Sequence, residues 1–247
     1  MTGWLGLTDA PLFVSRIRLE KRRRLPRAAG HWALDSGGFT ELNRAGCWSI
    51  TPQEYVKQVR QWSQEIGRME WAASMDWMCE PCVLAKTGLT VQEHQRRTVE
   101  NYLELTALAP SAPWAPVLQG WTEADYLHCV DLYAASGVDL TALPVVGLGS
   151  ICRRQGTAEA ERIIASLSRL GIRLHGFGFK LQGVRRSADL LGSCDSLAWS
   201  FNARKNAGPC PYGGGHLSCN SCLPFALAWR DKLLQSIRQE SLFHGVA

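Results

Sequence analysis

The chain has 247 residues, 46% hydrophobic and 20% charged, with a formal net charge of +5. This ordinary globular composition excludes disorder as the organising state, and no run approaches the roughly 18 apolar residues of a membrane span. The segment Met1-Thr2-Gly3-Trp4 carries neither the basic nor the apolar stretch of a secretory signal, so the expected location is cytoplasmic. Nine cysteines, an odd number at irregular spacing, read as reduced thiols or metal ligands rather than as a disulfide framework.

A first candidate strand, Leu12–Ser15, leads into a basic run of Arg16, Arg18, Lys21, Arg22, Arg23, Arg24 and Arg27. Such a run is either a solvated surface segment or a track for a phosphate backbone. The next strand, His31–Asp35, ends in Asp35-Ser36-Gly37-Gly38-Phe39. An acid at a strand end followed by two glycines lets the backbone turn sharply and approach a ligand, and it fits a plain tight turn with an Asx cap equally well. Thr51-Pro52-Gln53-Glu54 then opens a helix to about Ile66, with an N-cap, a proline at the first helical position and a capping-box glutamate.

Strands at Trp71–Asp76, Ala115–Gln119, Pro144–Leu148, Arg173–Gly178 and Ser196–Ser200 follow. Helices over Thr90–Ala107, Thr122–Ser136 and Thr157–Leu170 lie among them, each with a threonine where an N-cap is wanted. The alternation is that of βα units around a parallel sheet, and the expected fold is α/β, an irregular (β/α)8 TIM-like barrel with seven strands assigned and one not. Asp35, Asp76, Gln119, Gly149 and Asp195 all fall at or just past strand C-terminal ends, the face on which barrel enzymes build active sites. A Gly/Cys/Pro-rich stretch from Ala207 to Pro224 precedes a helix from about Phe225 to Gln239. The expected division is a catalytic barrel over residues 1–206 and a zinc-binding loop with a C-terminal helix over 207–247.

Paired carboxylates on one barrel face suit glycosidic-bond chemistry, in which a retaining pair sits roughly 5 Å apart. Asp195, taken alone, is more often a turn residue before a short apolar strand. Asp76 and Gln119 have the chemistry to hydrogen-bond a ligand edge or to be satisfied by local backbone, and Gly147-Leu148-Gly149 offers backbone groups at close range. Cys219-Asn220-Ser221-Cys222, with His216 and Cys210 upstream, supplies four soft or borderline ligands for a tetrahedral structural zinc ion. Free thiols in a loop are the alternative. The second CxxC, Cys79-Glu80-Pro81-Cys82, lacks the strand-to-helix context of a redox motif; Cys79 reads as pocket lining and Cys82 as incidental.

Taken in order, the DSGGF segment, Asp76, Val117-Leu118-Gln119-Gly120, Val146-Gly147-Leu148-Gly149, His175-Gly176-Phe177-Gly178 and then Asp195 resemble the tRNA-guanine transglycosylases from about Trp32 to Phe201. The wording of Ala33–Leu42, Asp76–Pro81, Leu118–Trp121, Gly147–Arg154 and Ala198–Phe201 is closer to the DpdA family, deazapurine DNA-modification proteins of phages and bacteria. That resemblance implies a glycosyltransferase that exchanges guanine in DNA for a 7-deazaguanine such as preQ0, in the host cytoplasm if phage-encoded. Asp195 matches the nucleophile that attacks C1′, and Asp35 the general acid/base. Asp76, Gln119 and the Gly147-Leu148 backbone match the groups that read the purine edge, with Ser36, Gly37, Cys79 and Gly120 beside them. The expected partners are DNA and the free base.

A base inside a duplex must be flipped out to reach such a pocket, which makes a duplex-opening protein a further candidate partner and gives Arg22, Arg23, Arg24, Arg153, Arg154, Arg185 and Arg186 the role of nucleic-acid contacts. Transglycosylases carry a zinc site after the nucleophile with the histidine last; here His216 precedes Cys219, so the set Cys210, His216, Cys219 and Cys222 is read from this chain. No redox or nucleotide cofactor is implied. The alternatives are the same exchange on tRNA, a zinc-stabilised nucleic-acid-binding protein without activity, and a carbohydrate glycosidase.

Overall fold

The computed structural model describes residues 2–244, with side chains to residue 237. In chain order, after a 3-10 turn at Thr2–Trp4, it contains β1 (Leu12–Ser15), α1 (Arg16–Leu19), β2 (Trp32–Asp35), α2 (Gly38–Ala45), α3 (Pro52–Ile66), β3 (Met69–Ala73), α4 (Pro81–Thr87), α5 (Val91–Leu108), β4 (Trp114–Ala115), β5 (Val117–Leu118), α6 (Glu123–Ala135), β6 (Val146–Leu148), α7 (Ala158–Arg169), β7 (Leu174–Gly176), α8 (Leu181–Ser187), β8 (Ser193–Cys194), α9 (Ala198–Lys205) and α10 (Leu223–His244).

Four helices begin where a threonine hydroxyl can accept an otherwise unpaired backbone N–H. Thr51 and Glu54 close a reciprocal capping box at α3, and Thr122 and Asp125 close another at α6. Thr90 and Thr157 accept from Glu93 N at α5 and Ala160 N at α7. Among the described residues no helix is long and apolar enough to cross a membrane.

All strand pairs are parallel, in two four-stranded sheets of order β1-β2-β3-β4 and β5-β6-β7-β8. The two sheets meet inside one stretch of chain. Trp114–Ala115 pairs with β3 and Val117–Leu118 pairs with β6. Between them Pro116 has no N–H to give either ladder, while its carbonyl accepts Gly147 N at 2.8 Å. The single strand expected at Ala115–Gln119 is therefore split by its proline, and the eight strands occupy seven strand positions. Among the described residues nothing fills the unassigned eighth position, and β1 and β8 are the open edges of this parallel α/β arrangement.

A second expectation is corrected at Ser196–Ser200. The strand there is β8, just upstream, and α9 begins at Ala198. Ser196 Oγ accepts Ala198 N at 3.2 Å, a local turn bond, and the helix buries Trp199, Ser200 and Ala203 on one side. An apolar run this short does not distinguish strand from helix by periodicity.

Ring contacts place β1 and β3 across from β7. Phe13 stacks on Phe177 with centroids 5.6 Å apart, and Trp71 meets His175 edge-on at 4.8 Å. The edges β1 and β8 both line a cavity of about 690 Å³, over which α10 lies through Leu227, Trp229 and Leu233.

Arg16 departs from the surface track suggested by the basic run. It is fully buried, donates from Nε to the Ser36 carbonyl at 2.8 Å, and pairs with Glu20 and Glu41. Glu41 also accepts Ser49 N at 3.0 Å; burial pushes its carboxyl up, and the bonds from Ser49 and Arg16 outweigh that and hold it below its ordinary range. The clamp fixes the turn after β2, where Gly37 has φ +82° and a Cβ would sit 2.8 Å from Ile17 Cγ1, so only glycine fits. Arg16→Met should lower unfolding free energy by about 3 kcal/mol or more, because it strands the Glu41 carboxylate and the Ser36 carbonyl. Urea titration measures this, and a loss below about 1 kcal/mol would show that the clamp contributes little.

Candidate functional site

The residues closing β2 and following β8 both line the cavity wall, and each is an aspartate. Asp35 closes β2, and its Oδ1 accepts Gly37 N at 2.9 Å. The turn is thus the Asx turn of its sequence pattern, and it still leaves the carboxyl on the cavity. Burial raises Asp35 above its ordinary range, and the nearby Asp195 charge raises it further against the bonds from Gly37 and Ser15. Asp195 follows β8 and is half-buried; its Oδ1 accepts Gly178 N at 2.8 Å and lies 3.6 Å from His175 Nε2. The cavity wall carries Asp35, Trp71, His175 and Asp195 together.

His175 is one of the residues sequence reasoning missed. It is buried, its Nδ1 lies 2.8 Å from Ser193 Oγ, and its Nε2 has no hydrogen-bond partner. Phe13, Trp71 and Phe177 surround the ring. The available signal was the histidine opening His175-Gly176-Phe177-Gly178 in a strand that otherwise points apolar groups inward.

A second group lies next to this wall, outside the cavity lining. Asp76 sits three residues past β3, buried, with Oδ1 accepting from Ser36 Oγ at 3.1 Å and Oδ2 2.5 Å from the Gln119 amide nitrogen. Its carboxyl is pushed up to about 7, first by burial and then by the Asp35 charge. Gln119 continues through Ser150 Oγ, 2.6 Å from its Oε1, to Glu80 Oε2, 2.8 Å from that hydroxyl. Glu80 and Ser150 were present in the quoted motifs without being singled out. Gly149 admits the Gln119 amide against its backbone, where a Cβ would collide with it.

The remaining candidates divide. Gly147 N is bonded to the Pro116 carbonyl and Leu148 is buried in β6, so this backbone is engaged within the sheet. Gly120 packs on the first turn of α6, where a Cβ would lie 2.9 Å from Tyr126 N. The Cys79 thiol is wholly buried and raised by that burial, and its N–H donates to Ser150 Oγ at 2.7 Å. Cys82 is exposed, so the Cys79/Cys82 pair shares no common environment.

Arg22, Arg23, Arg24, Arg153, Arg185 and Arg186 are exposed. Arg22 bonds Thr2 Oγ1 at 2.8 Å, Arg153 lies over the Phe39 ring at 5.3 Å, and Arg186 sits 3.5 Å from Glu161. Arg154 is mostly buried, stacked 4.2 Å from the Trp121 ring and 3.2 Å from Glu159, so contact with a phosphate requires it to leave those partners.

Cys210, His216, Cys219 and Cys222 converge, with their ligand atoms all within 4.8 Å of one another. Cys210 Sγ lies 3.9 Å from Cys222 Sγ, and His216 Nε2 lies 3.4 Å from Cys219 Sγ. A tetrahedron with metal–sulfur bonds of about 2.3 Å has S–S edges of about 3.8 Å and N–S edges of about 3.6 Å, so the four side chains could hold a metal ion, and the geometry is compatible with zinc. Wild-type protein should take up about one equivalent of Zn2+ and Cys222→Ser much less; metal analysis after dialysis decides, and equal content in both proteins would remove the site.

The raised Asp76 carboxyl has a consequence for stability. Between its ordinary value of 3.8 and about 7 the folded chain binds more protons at Asp76 than the unfolded one, so this group lowers stability as pH rises across that window. Asp76→Asn should therefore gain stability over wild type, and gain more at about pH 8 than at about pH 5. Thermal melts at both pH values test the sign, and equal gains would contradict it.

No curated protein matches the chain. A family model does: the one described as DpdA, DeoxyPurine in DNA protein A, matches residues 1–245. That match spans the strand-end aspartates, the Asp76 network and the Cys/His cluster, and the chain belongs to the DpdA family.

Proposed function

We propose that this chain is a DNA guanine transglycosylase that replaces guanine with a 7-deazaguanine of the preQ0 type through a covalent aspartyl-sugar intermediate. The observation that carries the reading is the convergence of Asp35 and Asp195 on one cavity, with the Asp35 carboxyl raised by burial and by Asp195. A nucleophile and an acid/base need opposite protonation states at the same pH, and unequal environments provide them. Asp195 attacks C1′ of the target nucleoside, forming an ester as the bond to guanine breaks. Asp35 protonates the departing base, then takes a proton from the incoming deazaguanine, whose nitrogen attacks C1′ and frees Asp195. His175 lies against Asp195 and helps to orient it. Asp76 and Gln119 read the donor edge of the base, and the exposed Arg22–Arg24, Arg153, Arg185 and Arg186 serve the DNA backbone.

The parallel order of the strands supports reading residues 1–206 as an irregular (β/α)8-type barrel opened at β1 and β8. The second expected unit, 207–247, is read as the zinc-binding segment and a helix whose Leu233 and Ile237 pack on the main core, its last three residues lying outside the described ones. Zinc, when bound to Cys210, His216, Cys219 and Cys222, would supply cross-linking of a segment without regular structure and take no part in the chemistry.

The test is deazaguanine incorporation into DNA, read by mass spectrometry of its nucleosides. Asp195→Ala and Asp35→Ala should each lower it by about a thousandfold or more. Full activity in either variant would sink the mechanism. Wild-type protein that modified tRNA in preference to DNA would move the substrate without moving the chemistry.

A further inference from the structure

Glu80 is a buried carboxylate that the exchange chemistry does not use, and it ends a chain of four side chains. Glu80 Oε2 lies 2.8 Å from Ser150 Oγ, which lies 2.6 Å from Gln119 Oε1 and 2.7 Å from Cys79 N. The Gln119 amide nitrogen in turn lies 2.5 Å from Asp76 Oδ2. Ser150 holds this position at φ +53°, a conformation uncommon outside glycine.

The Ser150 hydroxyl has one proton, and with Cys79 N–H donating to it, it donates once. With both carboxylates ionised, that proton would be required by Gln119 Oε1 and Glu80 Oε2 at the same time. Two arrangements satisfy every contact, and each holds one further proton. In the first, Asp76 Oδ2 is protonated and the amide is turned over: Asp76 donates to Gln119 Oε1, Nε2 donates to Ser150, and Ser150 donates to Glu80. In the second, Glu80 is protonated and donates to Ser150, Ser150 donates to Gln119 Oε1, and Nε2 donates to an ionised Asp76.

We propose that Asp76 and Glu80 share one proton through Gln119 and Ser150, and that a purine-like base moves it from Asp76 to Glu80 on binding. The ring N–H and exocyclic amine of a guanine-type base are donors and need Asp76 as an acceptor. The Asp76 Oδ2–H bond is broken, an O–H bond forms at Glu80 Oε2, and the Gln119 amide rotates; by any path, the protein neither gains nor loses a proton. In the empty site the proton lies on Asp76, whose carboxyl burial and the Asp35 charge push up to about 7. Asp76 also faces Tyr55, Tyr133 and Cys79, and Glu80 acts on Cys79, Tyr126 and Cys152. Burial raises all of these phenols and thiols and keeps them out of the exchange.

The relay, which rests on reading Asp76 as the purine-edge acceptor, is tested by calorimetric binding of preQ0 to the full chain between about pH 5.5 and 8.5. Wild-type Kd should be flat below about pH 7, because no proton leaves the protein. In Ser150→Ala and Glu80→Ala the chain is cut, Asp76 must release its proton to solvent, and Kd should weaken about tenfold per pH unit below about 7. Glu80→Gln, which keeps a hydrogen bond to Ser150 but has no carboxylate to take up the proton, should be as steep as Glu80→Ala. A wild-type slope as steep as that of Ser150→Ala, flat profiles in all variants, or a flat Glu80→Gln profile would overturn the shared proton. Full affinity in Asp76→Ala would instead remove the purine-edge reading, and the relay with it.

Discussion

The buried guanidinium of Arg16 holds the turn on which the site is built. It takes the Ser36 carbonyl that the sharp turn at Gly37 leaves facing inward, and it ties that turn to Glu20 and to Glu41 of α2. A buried cation is tolerated only when it is paired and hydrogen-bonded, and here two glutamates meet that requirement away from the site. Asp35 and Asp76 therefore stand close together under burial without sharing those salt bridges, and both carboxyls are raised. The charge of the cation that positions the turn comes last among the influences on Asp35 and leaves both acids raised.

The consequence is a site in which charge is scarce and protons are positioned. Ser36 links the two parts, since its carbonyl is held by Arg16 and its hydroxyl donates to Asp76. Mutual repulsion between carboxylates in a poorly solvated region favours proton retention over ionisation, which suits groups that must accept, hold and return a proton near neutral pH. Gly149 serves this arrangement by leaving room for the Gln119 amide.

Local signals in the sequence were sufficient for the four threonine-capped helix starts, because a threonine cap and its N3 partner lie within one turn of each other, as at Thr51 with Glu54 and Thr122 with Asp125; the short helices α2, α4 and α8, whose N-caps make no side-chain bond, gave no such signal. The strand positions followed from alternation and turn residues, and the Cys/His cluster from its clustering in one loop. Pro116 was a local mark of the split that the strand pattern overrode, while the two partners that define it are distant in sequence; nothing local marked the helix in place of a strand at Ala198. Arg16 read as part of a basic surface because the glutamate that buries it on α2 lies 25 positions along the chain. His175, Glu80 and Ser150 escaped for the same reason: their meaning comes from what packing brings opposite them. Asp35 and Asp195 could be paired only through the order of several strand ends, never from Asp195 and its neighbours alone, and the cavity wall brings the two together.

The helix α10 lies over the space between the open edges β1 and β8, yet none of its described side chains from Leu223 to Ile237 is fully buried. No ladder joins those edges among the described residues, so the seam is closed there by apolar contact from residues such as Trp229 and Leu233. Contact of this kind weakens on cooling, whereas backbone ladders do not depend on it. In the cold, the interior of this molecule is most accessible from the side of the seam, beneath a helix that can lift without a strand being unzipped.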